Sequence, residues 1–301
     1  MKAYLRTAFL TVGLLLLAKS NLNAQLKTNI MKTKTTEING MKIAYREFGK
    51  GDPIVFCNRF RGTLDTWDPL FIDEMSKKFK VVIFDYPQVG YSEGTFPNDV
   101  TGLSEVVVGL CKNLGFKNVA LAGWSFGGFV AQTVALKNPG VVSKLILIGT
   151  NPPGENKIPL EPIFLEKALI PINSLEDEQV LFFEPDSEFS LAASKASHDR
   201  IYAKIDVSKI PSTQEEFNRY FVAGNEFKND NRLRDMFFDT DIPIFILHGD
   251  HDVSFAVENW FAILRKLKFG QLIIYTKAGH APQHQLPELT AKYISDFITL
   301  N

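Results

Sequence analysis

Residues 121–129, LAGWSFGGF, set one serine, Ser125, among Gly123, Gly127 and Gly128 directly after a small apolar run. Glycines around a lone hydroxyl suit a backbone that bends too sharply for larger neighbours, and a serine raised on a strand-to-helix bend is open to use as a nucleophile. A hydroxyl near its ordinary acidity is a poor nucleophile. It needs a histidine to take its proton and, usually, a carboxylate to fix that histidine's tautomer. Both lie downstream: ILHGDHDVSF places Asp252 in the loop after an apolar run, and YTKAGHAPQHQLPE places His280 after the final one. The same stretches hold alternatives, namely Asp250 for the acid, His248 or His251 for the base, and His284 as a residue at the rim. His248, Asp250, His251 and Asp252 also invite a metal-ligand reading, but a serine nucleophile needs no metal.

The elements that would hold these residues alternate in type. TKTTEINGMKIAYREFG reads as two strands around an Asn39-Gly40 turn. PIVFC and KVVIFD follow as short, nearly continuous apolar strands of the kind buried on both faces, with a helix between them capped by Asp68 or Thr66. Next come a helix near residues 100–114, the strand NVALAGW, a helix over about 126–138 and the strand VVSKLILIGT. Strands alternating with helices in short units predict a mostly parallel sheet with right-handed crossovers. The rhythm fails over residues 152–240, which are Pro-interrupted and helix-rich, and resumes with IPIFILHGD, a helix at AVENWFAILRKL, the strand GQLIIYT and a closing helix near 287–300. The middle segment is expected to be a cap inserted into one core. Ser125, Asp252 and His280 then all fall at C-terminal strand ends, where open α/β sheets form their crevice.

With GWSFGG, the G-x-x-D of Gly249 to Asp252 and the Gly279-His280 pair in the order serine, acid, histidine, the chain resembles the α/β-hydrolase superfamily, in its branch with an inserted helical cap. The resemblance covers nearly everything from about residue 33 to 300. It implies Ser125 as nucleophile, Asp252 rather than Asp250 as acid, and His280 as base. It implies oxyanion donors at the backbone amides of Phe126 and Phe60. Many relatives read His-Gly-x where this chain has Asn58-Arg59-Phe60; Asn58 can hydrogen-bond the loop as that histidine does, and Gly62 remains for the turn. Arg59 has two readings: a pocket residue favouring a carboxylate-bearing substrate, or a surface residue paired with Asp65 or Asp68, which is the simpler expectation. Asp85, Gly90 and Ser92 match a D-x-x-x-x-G-x-S segment whose acid ties neighbouring loops together, and Trp124 and Trp67 are either pocket walls or core aromatics.

The chemistry implied is hydrolysis of a small or medium carboxylic ester through an acyl-enzyme, with no cofactor. Perhydrolysis, amide, lactone or carbon-carbon bond hydrolysis, and a nonenzymatic binding protein on the same scaffold are the alternatives, since the cap decides among them. A proline-releasing peptidase fits less well, because NRFRG stands where such relatives carry H-G-G-P-G. The expected partner is a small molecule; the charge argues against a broad nucleic-acid surface, and nothing in the sequence indicates an oligomeric state.

At the N-terminus, Lys2 and Arg6 precede an apolar run from Ala8 to Ala18 and a polar stretch ending at Ala24, the order of a secretory signal peptide, with a retained anchor as the lesser reading. Removing residues 1–24 leaves 277 residues and takes away Lys2, Arg6 and Lys19 but no acid, so the formal charge moves from -1 to -4. At 45% hydrophobic the remainder can bury a large core, and Cys57 and Cys111 are expected as separate buried thiols even though export would permit a disulfide. N-terminal sequencing of protein recovered from its source cell is expected to start at Gln25. The intact first 24 residues in a soluble cytoplasmic fraction would refute export.

Overall fold

The computed structural model describes residues 32–300, so the expected signal segment, residues 1–24, lies outside the described residues. The strands are β1 Lys34–Ile38, β2 Met41–Phe48, β3 Pro53–Cys57, β4 Lys80–Phe84, β5 Val119–Trp124, β6 Val142–Ile148, β7 Ile244–Gly249 and β8 Gly270–Tyr275. They form one sheet in the order β1-β2-β4-β3-β5-β6-β7-β8. β1 and β2 make the expected hairpin and β2 pairs antiparallel with β4, while every pairing from β4 to β8 is parallel.

Strand alternation divides the core into two layers. Ile54 and Phe56 of β3 point to one face, and Val55 and Cys57 to the other. The first face is covered by α1, Pro69–Ser76, through Phe71, Ile72 and Met75. The opposite face carries α2, Val100–Asn113, and α3, Phe126–Lys137. α3 has no exposed side: Phe126 to Leu136 are all buried, because the sheet lies beneath it and the segment between β6 and β7 lies against it. Each large apolar side chain so buried contributes roughly 1.5–3 kcal/mol by leaving water.

The segment between β6 and β7 holds five helices: α4 Pro162–Ala168, α5 Leu175–Phe182, α6 Glu188–Tyr202, α7 Gln214–Asn229 and α8 Asn231–Asp239. Their starts are locally encoded. Ser174 with Asp177 and Thr213 with Glu216 form reciprocal capping boxes at α5 and α7. Arg61, in the loop after β3, ties this insertion down by donating to the carbonyls of Ala168, Ile170 and Pro211 at 2.7 Å and of Pro171 at 2.5 Å.

One expected helix is shorter than its pattern. AVENWFAILRKL yields only α9, Glu258–Phe261, and a turn of 3-10 helix at residues 264–266. Trp260 is fully buried and donates its indole N–H to Thr150 O at 2.8 Å, and the chain around it closes i to i+3 bonds instead of an α-helical ladder. The fold ends with α10, Pro282–Gln285, and α11, Pro287–Leu300, the latter packing Ala291, Ile294 and Phe297 beside α1.

His284 of α10 is not a rim residue. It is buried, and its Nε2 accepts the backbone N–H of Asp68 at 3.2 Å. Asp68 caps α1 by accepting Leu70 N–H and is held from the insertion by Arg200, whose Nε and Nη2 donate to its two oxygens at 2.8 and 2.6 Å. Three distant segments thus meet on one carboxylate. Burial pulls the His284 imidazole from 6.5 down to about 4. Between those values the unfolded chain binds the extra proton and the folded protein does not, so stability falls as pH drops through this window. His284→Gln keeps an acceptor for Asp68 N–H and removes the titration. Relative to this variant, wild type is expected to lose about 2 kcal/mol more between about pH 7.5 and about pH 5 in urea unfolding. Parallel slopes for the two proteins would refute the linkage.

Candidate active site

β5 ends at Trp124 and α3 starts at Phe126, so Ser125 alone makes the turn, with φ 59 and ψ -122. A non-glycine residue with positive φ in a sparsely populated region costs on the order of 1–3 kcal/mol and persists only where its surroundings enforce it. Here Ser125 N–H donates to Ile148 O at 2.9 Å and Ser125 O accepts Gly128 N–H at 2.8 Å. The neighbouring glycines serve proximity, not unusual angles. A Cβ on Gly123 would lie 2.2 Å from Gly127 O, and one on Gly127 would lie 2.2 Å from Cys57 O. The first turn of α3 therefore presses directly on the end of β3, bringing the loop that holds Phe60 to the serine.

His280 and Asp252 meet across the ends of β7 and β8. His280 Nδ1 lies 2.8 Å from Asp252 Oδ2, while Asp252 Oδ1 accepts the amides of Ser254 and Phe255 at 2.8 and 3.0 Å. Burial is the largest influence on Asp252 and opposes its charge; His280, His248 and the Phe255 amide outweigh it, leaving the carboxyl below its usual range. An ionised Asp252 fixes the proton of His280 on Nδ1 and leaves Nε2 free to accept one. Ser125 and His280 line one cavity of about 20 Å³ with Arg59, Phe60, Arg61, Phe164 and Phe182. Among the described residues no hydrogen bond joins the Ser125 hydroxyl to His280, a looseness common before substrate binds.

The other acids and histidines are placed elsewhere. Asp250 is exposed and its Oδ1 accepts Ala278 N–H at 3.3 Å; His251 is half-exposed and pairs with Glu184 at 2.7 Å. His248 is buried beside Thr150, with its Nδ1 3.6 Å from Asp252 Oδ2. Asp85 bridges loops, accepting Leu64 N–H at 2.7 Å and Tyr91 N–H at 2.8 Å. The thiols of Cys57 and Cys111 are free and buried.

The loop after β3 is anchored by Asn58, whose amide donates to Phe84 O at 2.7 Å and whose oxygen accepts the Trp67 indole N–H at 2.6 Å. Trp67 is thereby a core residue. Phe60 packs its ring on Tyr220 and Phe221 of α7, at centroid distances of 5.1 and 5.5 Å. Phe126 occupies the first position of α3, where backbone amides have no intrahelical acceptor and point outward from the helix end. Trp124 supports His280 from below, donating its indole N–H to the His280 carbonyl at 2.8 Å. It lines a second cavity beside the serine cavity, together with Arg59, Glu178, His198, Tyr202 and His284.

Arg59 departs from its simpler expectation. Asp65 is taken by Arg46 at 2.6 Å and by the Tyr91 hydroxyl at 2.7 Å, and Asp68 by Arg200, so neither acid reaches Arg59. Its guanidinium lies over the rings of Phe182 and Trp124 at 4.7 and 5.2 Å. Gly149, at the end of β6, is a site residue that pattern reading passed over. It has φ 48, and a Cβ there would sit 2.7 Å from His280 O and 3.1 Å from His280 Nδ1. Its only sequence signal is a glycine closing an apolar strand, one among 20 glycines.

Comparison with known proteins agrees with this architecture. A family described as alpha/beta hydrolase fold matches residues 52–287. The chain is 28% identical over 247 residues to a pimeloyl-(acyl-carrier protein) methyl ester esterase of Pseudoalteromonas atlantica, covering 79% of this chain and 90% of the relative. It is 25% identical over 284 residues to a proline iminopeptidase of Pestalotiopsis fici, covering 86% and 96% of the two chains. Among solved structures, an alpha/beta hydrolase fold protein from Chitinophaga pinensis superposes with a TM-score of 0.78 at 27% identity, covering 90% of this chain and 98% of that one. With its sheet order, its strand-to-helix serine and this family match over most of its length, the chain belongs to the α/β-hydrolase family.

Proposed function

We propose that the protein is a serine hydrolase of small or medium carboxylic esters that works through an acyl-enzyme on Ser125. The observation that carries this reading is the buried His280–Asp252 contact of 2.8 Å opening onto the same cavity as a serine held in a strained turn. His280 Nε2 removes the hydroxyl proton as Ser125 Oγ bonds to the ester carbonyl carbon. The resulting oxyanion is received by the amides of Phe60 and Phe126. Collapse breaks the bond to the alcohol, which leaves with the proton from His280. Water then gives a proton to His280 and attacks the acyl carbon, and Ser125 regains its proton as the acid departs. Asp252 holds the imidazole in the required tautomer and stabilises its charge. The esterase and hydrolase names of the relatives favour this chemistry.

The helical insertion acts as a cap in this reading. Phe164, Ala168, Leu181 and Phe182 close the serine cavity to about 20 Å³. That volume holds little more than one water, so an ester enters only when cap side chains or helices draw back.

Intact-mass analysis after treatment with a fluorophosphonate tests the assignment. Wild type is expected to gain one phosphonyl adduct, Ser125→Ala none, and Asp252→Asn is expected to slow hydrolysis of 4-nitrophenyl esters by a factor of about a thousand or more. Labelling retained in folded Ser125→Ala would remove the nucleophile assignment, and a folded wild type that neither labels nor turns over these esters would remove the enzyme.

A further inference from the structure

The cavity beside Ser125 has an electrostatic character that the hydrolytic machinery does not call for. Two arginines, Arg59 and Arg61, line it, and among the described residues neither has a carboxylate within ion-pair distance. Arg61 is spent: its guanidinium is surrounded by carbonyl oxygens of the cap and serves as the tie described above. Arg59 is not spent. Its Nη1 donates to Phe60 O at 2.7 Å, but among the described residues its Nε is buried without an acceptor and its Nη2 makes no hydrogen bond.

The unused groups share one edge. Nε–H and the adjacent Nη2–H of a guanidinium point the same way and match the two oxygens of a carboxylate, the side-on fork that a lysine cannot provide. The nearby acids are all engaged. Asp65 and Asp68 serve Arg46 and Arg200, and Glu178, across the second cavity, accepts from the Tyr202 hydroxyl at 3.0 Å and sits 2.8 Å from His198 Nδ1. A neutral substrate would leave this donor edge unsatisfied in a pocket closed by Phe164, Leu181 and Phe182.

We propose that Arg59 is a specificity residue that binds a carboxylate carried by the substrate, so the protein's preferred esters are anionic. This deepens the hydrolase reading and rests on the Ser125 cavity being the substrate site. Burial brings the Arg59 guanidinium down only to about 10, so the positive charge persists at neutral pH. The guanidinium is positioned by the rings of Phe182 and Trp124, which it lies over.

Two ester pairs differing by one carboxylate test the proposal: mono-4-nitrophenyl glutarate against 4-nitrophenyl butyrate for the acyl side, and 4-acetoxybenzoate against phenyl acetate for the alcohol side. After correction for spontaneous hydrolysis, wild type is expected to favour the anionic member of at least one pair. In Arg59→Gln the kcat/KM ratio of that pair is expected to fall about thirty-fold or more, and Arg59→Lys is expected to restore only part of it, since a point charge replaces a fork. Ratios that are equal in wild type and Arg59→Gln would make the arginine a brace and overturn the proposal. Calorimetric titration of wild type with glutarate and with glutaramide reads the anion site without turnover or substitution. Glutarate binding about tenfold or more tighter supports it, and equal binding of the two overturns it. Failure of fluorophosphonate labelling with retained glutarate selectivity would sink the hydrolase reading alone.

Discussion

The site depends on one strained residue. Ser125 carries the whole reversal from β5 into α3 with a positive φ of 59, a conformation an L-residue accepts only under constraint. The constraint comes from both sides of the turn: β6 takes the Ser125 amide at Ile148, and the first turn of α3 is seated on the carbonyl of Cys57. Because β3, β5 and β6 are adjacent in the sheet, the ends of three strands hold a single side chain above their edge. A residue larger than glycine at 123 or 127 would push the helix off the sheet and release the turn.

Around that turn, buried charge is matched group by group. Asp252 has His280 and two amides, Asp68 has Arg200, and Asp65 has Arg46, whereas burial outweighs the two amides that Asp85 accepts and raises its carboxyl to about 7. Isolated buried ions are costly, and the contacts of Asp252 with His280 and of Asp68 with Arg200 also join segments far apart in the chain. Asp68, for instance, links the start of α1 to α6 of the insertion and, through its amide, to α10. The arginines of the loop after β3 are the exception. Arg61 is satisfied by carbonyl oxygens, and Arg59, which lines the cavity of Ser125, has a buried Nε that meets no acceptor among the described residues. Part of the Arg59 charge is offset across the second cavity by Glu178.

Much of the fold was legible because its signals are local. Apolar runs of five to seven residues marked the buried strands, Asp68 marked the start of α1, and Asn39-Gly40 marked the hairpin. Ser125, Asp252 and His280 were legible for a related reason: each follows a strand whose hydrophobicity locates it, and parallel strands bring their C-terminal ends to one side. The α9 region was misread because a helical apolar period does not reveal that Trp260 anchors the chain to Thr150 and shortens the helix.

Read along the chain, the residues settle the order of the core elements and the end of the sheet where serine, acid and histidine gather, while the layer each strand residue faces emerges only from the packed sheet. Tertiary structure alone decided the pairings. Proximity in the chain favoured Asp65 or Asp68 for Arg59, yet Asp68 meets Arg200, which is 132 residues away, and Asp65 meets Arg46. The same holds for His284, buried against the start of α1, and for Gly149, whose missing side chain leaves room for His280. Hydrophobic period and turn chemistry act over a few residues and can be read along the chain, whereas the partner of a buried charge is set by which segments close packing brings within about 3 Å.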